Sequence, residues 1–138
     1  MTKKDSFESD NIETTKKIAY KFADRFLKGK DRVVVFLKGD LGSGKTTFVR
    51  FILESFGIGE SEFDGSPSFT IINSYGNIHH IDLYRIDEDF VYETGIFEMI
   101  ESGGIFLIEW PKGGIEADII VEFTQIDENR RRIDVYYS

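Results

Sequence analysis

From Ile12 onward the apolar residues Ile12, Ala19, Phe22, Ala23, Phe26 and Leu27 recur at spacings of three, four and seven. That spacing lays them along one face of a helix, which Ser9 or Asp10 is placed to cap and Gly29 to end. The pattern then changes: Val33-Val34-Val35-Phe36-Leu37 is an unbroken β-branched and aromatic run. It is short enough for a strand covered on both faces, and such strands belong to parallel or mixed sheets. Between Thr46 and Phe56 the apolar positions Phe48, Val49, Phe51, Ile52, Leu53 and Phe56 return to helical spacing, and Gly57 and Gly59 stop this second helix. Glu60 to Pro67 reads as a polar loop. Phe69 to Tyr75 and Ile78 to Leu83 follow as two strands, joined as a hairpin at Gly76-Asn77. Glu88 to Ile100 is helical with an interruption near Gly95, Gly103-Gly104 closes it, and Ile105-Phe106-Leu107-Ile108 is a second fully apolar strand. Asp118 to Phe123 and Arg132 to Tyr137 predict a final antiparallel pair.

Bulk properties narrow the function classes. The 138 residues fit one domain, and no Pro-, Gly- or Ser-rich stretch suggests a linker, so 1–138 is expected to form a single unit. With 41% hydrophobic residues and 13 Phe there is ample material for a packed core. Val33 to Leu37 is far too short to span a bilayer, and Met1 to Asp10 is polar with both signs of charge, unlike a secretory or transit signal. A cytoplasmic protein with no membrane partner is expected. The absence of cysteine excludes a disulfide framework, a Cys-based zinc site and a Cys nucleophile. A formal net charge of −8 argues against autonomous binding to nucleic acid, so a link to RNA would run through a partner. Arg130-Arg131-Arg132, beside Asp127 and Glu128, reads as a solvated turn between strands.

The chemistry is concentrated at Gly39-Asp40-Leu41-Gly42-Ser43-Gly44-Lys45-Thr46, which matches G-x-x-x-x-G-K-[ST] at every fixed position. It also lies between a predicted strand and a predicted helix, as that motif requires. Glycines let consecutive backbone N–H groups turn around phosphates, and the helix N-terminus adds partial positive charge. Lys45 then reaches the terminal phosphates, and the Thr46 hydroxyl is placed as a ligand of Mg²⁺. Asp40 reads as a turn-stabilising residue. Such a loop needs a carboxylate near the metal. Glu109, after Ile105 to Ile108, has the form of a Walker B acid, with Glu for the commoner Asp; Asp82 is the other candidate, on the same strand face as His80. Neither the guanine-reading N-K-x-D nor the D-x-x-G of P-loop GTPases is present, which favours ATP and ADP. The fold expected is α/β: a P-loop NTPase-type mixed β-sheet flanked by helices on both faces.

Four segments together resemble one family: Gly39 to Phe48, with Thr47 after the P-loop; Ser66-Pro67-Ser68-Phe69-Thr70; His80-Ile81-Asp82-Leu83-Tyr84-Arg85; and Ile108-Glu109-Trp110-Pro111. Their order and spacing are similar to those of the bacterial TsaE-type ATPases. The resemblance implies a part in making threonylcarbamoyladenosine beside the anticodon of tRNAs that read codons beginning with A. It also implies partnership with a TsaD/TsaB-type complex, whose TsaD-like subunit carries the transferase site, while ATP hydrolysis by the TsaE-like subunit permits repeated turnover. On this resemblance Lys45 holds phosphates, Thr46 and Glu109 serve magnesium, and Asp82 acts at the metal and hydrolytic water. Ser66, Pro67, Ser68 and Thr70 form a switch-like segment, Trp110 lies next to the nucleotide, and His80, Tyr84 and Arg85 complete the third motif. Ser68 stands where Thr is usual, keeping the hydroxyl with a looser rotamer. Lys112 stands where an acidic or amide residue is usual.

Two other classes compete. A P-loop small-molecule kinase would need an arginine-bearing lid and an acceptor pocket, and only Arg85 and Arg130 to Arg132 are downstream candidates. A non-hydrolysing nucleotide-binding regulator would keep the loop and lose turnover.

Overall fold

The computed structural model describes residues 1–62 and 71–138. Its strands are β1 (Lys3–Ser9), β2 (Arg32–Lys38), β3 (Ile72–Tyr75), β4 (Ile78–Asp82), β5 (Gly104–Glu109), β6 (Ile119–Gln125) and β7 (Arg131–Tyr137). Among the described residues these seven make one sheet in the order β1-β7-β6-β2-β5-β4-β3. The centre is parallel, with β2 between β5 and β6 and β4 beside β5. The hairpins β3–β4 and β6–β7 and the edge strand β1 are antiparallel. The mixed sheet expected from the unbroken apolar runs is therefore present. Among the described residues three α-helices accompany it: α1 (Ile12–Phe22), prolonged by a π-helical turn at Ala23–Leu27, α2 (Lys45–Ser55) and α3 (Ile96–Ser102).

Strand periodicity distributes the core over both faces. Val33, Val35 and Leu37 of β2, with Ile105 and Leu107 of β5, pack with Ile18, Phe22, Phe48 and Ile52 of α1 and α2. Val34, Phe106 and Ile108 turn the other way, onto Val91 and Ile96 from the 3₁₀ turn Glu88–Thr94 and α3. All six residues of β5 are buried, as a strand covered on both faces must be. Gly95, in the left-handed conformation at φ 84°, separates the 3₁₀ turn from α3, which is the interruption the sequence predicted. No helix among the described residues is long and apolar enough to cross a membrane.

Two expectations change at the N-terminus. The residue capping α1 is Asn11, not Ser9 or Asp10: its backbone is extended and its side-chain oxygen accepts from the Thr14 N–H at 2.8 Å. Ser9 instead ends β1, where its hydroxyl bonds Thr15. Asn11→Ala should lower stability by about 1 kcal/mol in chemical denaturation, and Asn11→Asp should retain most of it. The second change is β1 itself, which the sequence pattern did not announce. Lys3 to Ser9 pairs along β7, from Lys3 with Tyr137 to Ser9 with Arg131. An exposed edge strand is kept polar against edge-to-edge pairing, so it lacks the apolar alternation that reveals strands elsewhere. The predicted strand Phe69 to Tyr75 is seen from Ile72; Phe69 and Thr70 lie outside the described residues.

Candidate functional site

β2 delivers the chain to Gly39, and residues 39–44 turn it into α2. The turn is closed by the Ser43 N–H donating to the Asp40 carbonyl at 3.1 Å. Thus Asp40 stabilises the turn through its backbone while its side chain is exposed. Gly39 has φ 151°, and a Cβ there would lie 2.6 Å from Ser43 Oγ and 2.8 Å from the Phe123 carbonyl oxygen. The loop is therefore pressed against β6 at its entry. Gly44, at φ 110° and ψ 9°, precedes α2, and among the described residues no side chain caps that helix start. A helix N-terminus without a capping side chain leaves N–H donors and partial positive charge for an anion.

A cavity of about 780 Å³ opens over this turn, lined by Leu41, Gly42, Gly44, Lys45, Thr46, Thr47, Asp82, Tyr84, Arg85, Glu109, Trp110 and Arg131 among others. Lys45 is buried there. Its ammonium donates to the Gly39 carbonyl and lies 3.6 Å from the centre of the Trp110 ring. Burial pushes the Lys45 pKa down, and the carboxylates of Glu109, Asp82 and Asp40 pull upward without cancelling that effect. Trp110 follows directly on β5 with a positive φ of 56°, uncommon for an aromatic residue, and its ring packs on Tyr84 at 4.8 Å between centroids. Lys45 and Tyr84 thus both contact the one tryptophan.

The carboxylates come from neighbouring parallel strands. Asp82 and Glu109 are register partners at the ends of β4 and β5. Glu109 is buried at 2% exposure; both its oxygens lie 3.3 Å from the Thr46 hydroxyl, and Oε2 lies 2.6 Å from Nε2 of the fully buried His80. Asp82 lines the cavity and accepts from the Tyr84 N–H at 2.9 Å. A hydroxyl and a buried carboxylate converging beside an open helix start are hard oxygen donors, which suits Mg²⁺. Among the described residues no three His, Asp or Glu side chains form a ready metal cage. A magnesium ion here would complete its shell with phosphate oxygens and waters, its usual habit.

The structure thus gathers Lys45, Thr46, Thr47, Asp82, Tyr84, Arg85, Glu109 and Trp110 around one cavity, with His80 behind Glu109. Ser66, Pro67, Ser68 and Thr70 lie outside the described residues. Lys112, one of the departures, donates to the Ile86 carbonyl at 2.9 Å and so joins the segment after β5 to that after β4.

The Arg130-Arg131-Arg132 run does not behave as one solvated turn. Asp127 accepts from the backbone N–H groups of Asn129 and Arg130 and from the Arg130 guanidinium, which holds its carboxyl down at about 2. Arg132 pairs with Asp134 at 3.1 Å. Arg131 turns back to the loop: its Nη1 donates to the Ser43 carbonyl at 3.2 Å, and it lines the cavity. Sequence reasoning missed it because only the return of the β6–β7 hairpin to the P-loop end of the sheet brings the first residue of β7 there.

Comparison with known proteins agrees with this geometry. The family model described as Threonylcarbamoyl adenosine biosynthesis protein TsaE matches residues 9–133. A tRNA threonylcarbamoyladenosine biosynthesis protein TsaE of Aquifex aeolicus is 39% identical over 92% of this chain and 92% of its own length. One of Haemophilus influenzae is 38% identical over 80% of this chain and 75% of its own. The crystal structure of Bacillus subtilis YdiB superposes with a TM-score of 0.77 at 29% identity, covering 98% of this chain and 86% of that one. The P-loop, the paired strand-end carboxylates and these matches together establish that the chain belongs to the TsaE family of threonylcarbamoyl adenosine biosynthesis proteins.

Proposed function

We propose that this chain is the Mg²⁺-dependent ATPase subunit of threonylcarbamoyladenosine formation, a single P-loop domain working in the cytoplasm with a TsaD/TsaB-type complex and reaching tRNA only through it. The observation that carries the reading is the meeting of Lys45, Thr46 and Glu109 at the open start of α2. Lys45 binds the terminal phosphates, exchanging the Gly39 carbonyl for them. Backbone N–H groups from Gly42 to Thr47 bind the remaining phosphate oxygens. Thr46 and Glu109 would hold magnesium, directly or through its waters, and Asp82 would act at the metal and the hydrolytic water. Magnesium, when bound, would supply the positive charge that offsets the negative charge of the transferring phosphate. His80 fixes the rotamer of Glu109, and Trp110 walls the site. The net charge of −8 supports contact with tRNA through partners.

The base preference tests the adenine assignment. With no N-K-x-D, ATP and ADP bind in preference to GTP and GDP; equal affinities in a calorimetric titration contradict it. Arg85 and Arg131 at the cavity meet one requirement of the small-molecule kinase alternative. Phosphate-release assays with the chain alone, with candidate acceptors and with the TsaD/TsaB-type complex separate the readings. A subunit of the modification machinery releases inorganic phosphate and responds to the complex, whereas a kinase transfers phosphate to an acceptor.

A further inference from the structure

We propose that a second cavity, adjoining the nucleotide cavity at Lys45 and Trp110, is an anion subsite that receives the inorganic phosphate released by hydrolysis, held by Lys38 and Lys112. The proposal rests on the hydrolytic reading above and adds a place for its product. The cavity holds about 360 Å³ and lies between the end of β2 and the segment after β5. Lys38, Gly39 and Asp40 line it from the first, and Trp110, Pro111 and Lys112 from the second. Lys45 and Trp110 line the nucleotide cavity as well, and the Lys45 ammonium sits 3.6 Å from the centre of the Trp110 ring. The two cavities thus meet at this lysine and this ring, where the terminal phosphate is placed.

Three lysines and one carboxylate, that of Asp40, line this space, a local excess of positive charge in a chain of formal net charge −8. Lys45 donates to the Gly39 carbonyl and Lys112 to the Ile86 carbonyl. An ammonium has three donors, so each keeps hydrogens for a further acceptor. Among the described residues neither Lys38 nor Lys112 forms an ion pair, although Glu122 is the register partner of Lys38 on β6. Like charges gathered in this way repel one another, and an anion that enters relieves the repulsion. Ammonium groups act as compact point charges, which suits a small anion such as phosphate. Lys112 stands where the family resemblance sets an acidic or amide residue, so this chain attracts an anion where an acid would oppose it.

The test is to titrate inorganic phosphate into the chain saturated with magnesium and a non-hydrolysable ATP analogue, whose γ-phosphate already fills the position at Lys45. Trp110 fluorescence and broadening of the phosphorus resonance of the added phosphate report binding, at an ionic strength held constant with chloride. Phosphate should bind saturably to the wild-type chain. Lys38→Gln and Lys112→Gln should each weaken it by about tenfold or more, as expected for a charge-assisted hydrogen bond, and leave affinity for the analogue unchanged. Lys112→Gln also loses the bond to Ile86, whereas Lys38 makes no such bond among the described residues. Agreement between the two variants therefore separates loss of the anion site from loosening of the segment after β5. Lys112→Glu should abolish phosphate binding. Phosphate that fails to bind once the analogue is in place overturns the subsite, and so does binding that survives both glutamine substitutions. Failure of the analogue itself to bind overturns the nucleotide reading, and the product role given to phosphate falls with it.

Discussion

Glu109→Ala should abolish ATP hydrolysis while leaving nucleotide binding within a few-fold of wild type. The Glu109 carboxylate is buried, has both oxygens beside the Thr46 hydroxyl and is held from behind by His80. Its proposed work is to keep magnesium where charge develops in phosphoryl transfer, an effect worth several kcal/mol and so roughly 10³-fold or more in rate. On this account nucleotide affinity rests mainly on the backbone N–H groups of the loop and the Lys45 ammonium, which remain in place in the variant. Removing the carboxylate also takes a buried partner from His80, at a cost of about 1 to 3 kcal/mol in stability. Glu109→Gln therefore accompanies it, keeping the shape and a hydrogen-bonding group while losing the charge. Phosphate release and ADP calorimetry on both variants check the result, and hydrolysis at the wild-type rate in either variant removes Glu109 from the metal.

The second large effect is activation by the partner. The chain alone should hydrolyse ATP slowly, and a TsaD/TsaB-type complex should accelerate it by about 10³-fold or more, the scale on which a supplied arginine or an ordered switch acts in phosphoryl transfer. The family resemblance implies a switch-like role for the hydroxyl-bearing motif Ser66 to Thr70, and Arg85 is an exposed cation at the cavity. Fixing an exposed side chain such as that of Arg85 costs up to about 2 kcal/mol of conformational entropy, which a docked partner can offset. The single tryptophan supplies a direct signal, because Trp110 contacts both Lys45 and Tyr84 and should report nucleotide arrival in its fluorescence. Stopped-flow fluorescence and phosphate release, with and without the complex, measure binding and turnover separately. Equal turnover in both conditions would make the chain an independent enzyme and favour the kinase alternative.

Much of the architecture could be read from local pattern, because its causes are local. The unbroken runs Val33 to Leu37 and Ile105 to Ile108 read as short strands covered on both faces, and they are the central β2 and β5. Gly39 to Thr46 declared the turn from β2 into α2, and an acid directly after an apolar strand marked Glu109 as the candidate carboxylate at its mouth. What stayed hidden depends on distant partners. β1 is an exposed edge whose polar sequence carries no periodicity, and its pairing with β7 is set by the rest of the sheet. The His80–Glu109 contact needs β4 and β5 to lie side by side in register. Arg131 looked like one of three turn arginines because the difference among them is the direction in which the β6–β7 hairpin returns. The cap at Asn11 was missed by one residue, since Ser9 is drawn into β1.

The most direct test of the account is the amount of threonylcarbamoyladenosine formed on tRNA by a fixed quantity of TsaD/TsaB-type complex supplied with ATP and either this chain or its Glu109→Ala variant. The account predicts many products per complex with the wild-type chain. With the variant, which still binds nucleotide, formation should stall near a single round. Equal product yields with the two proteins would contradict the claim that this site hydrolyses ATP in the service of the modification.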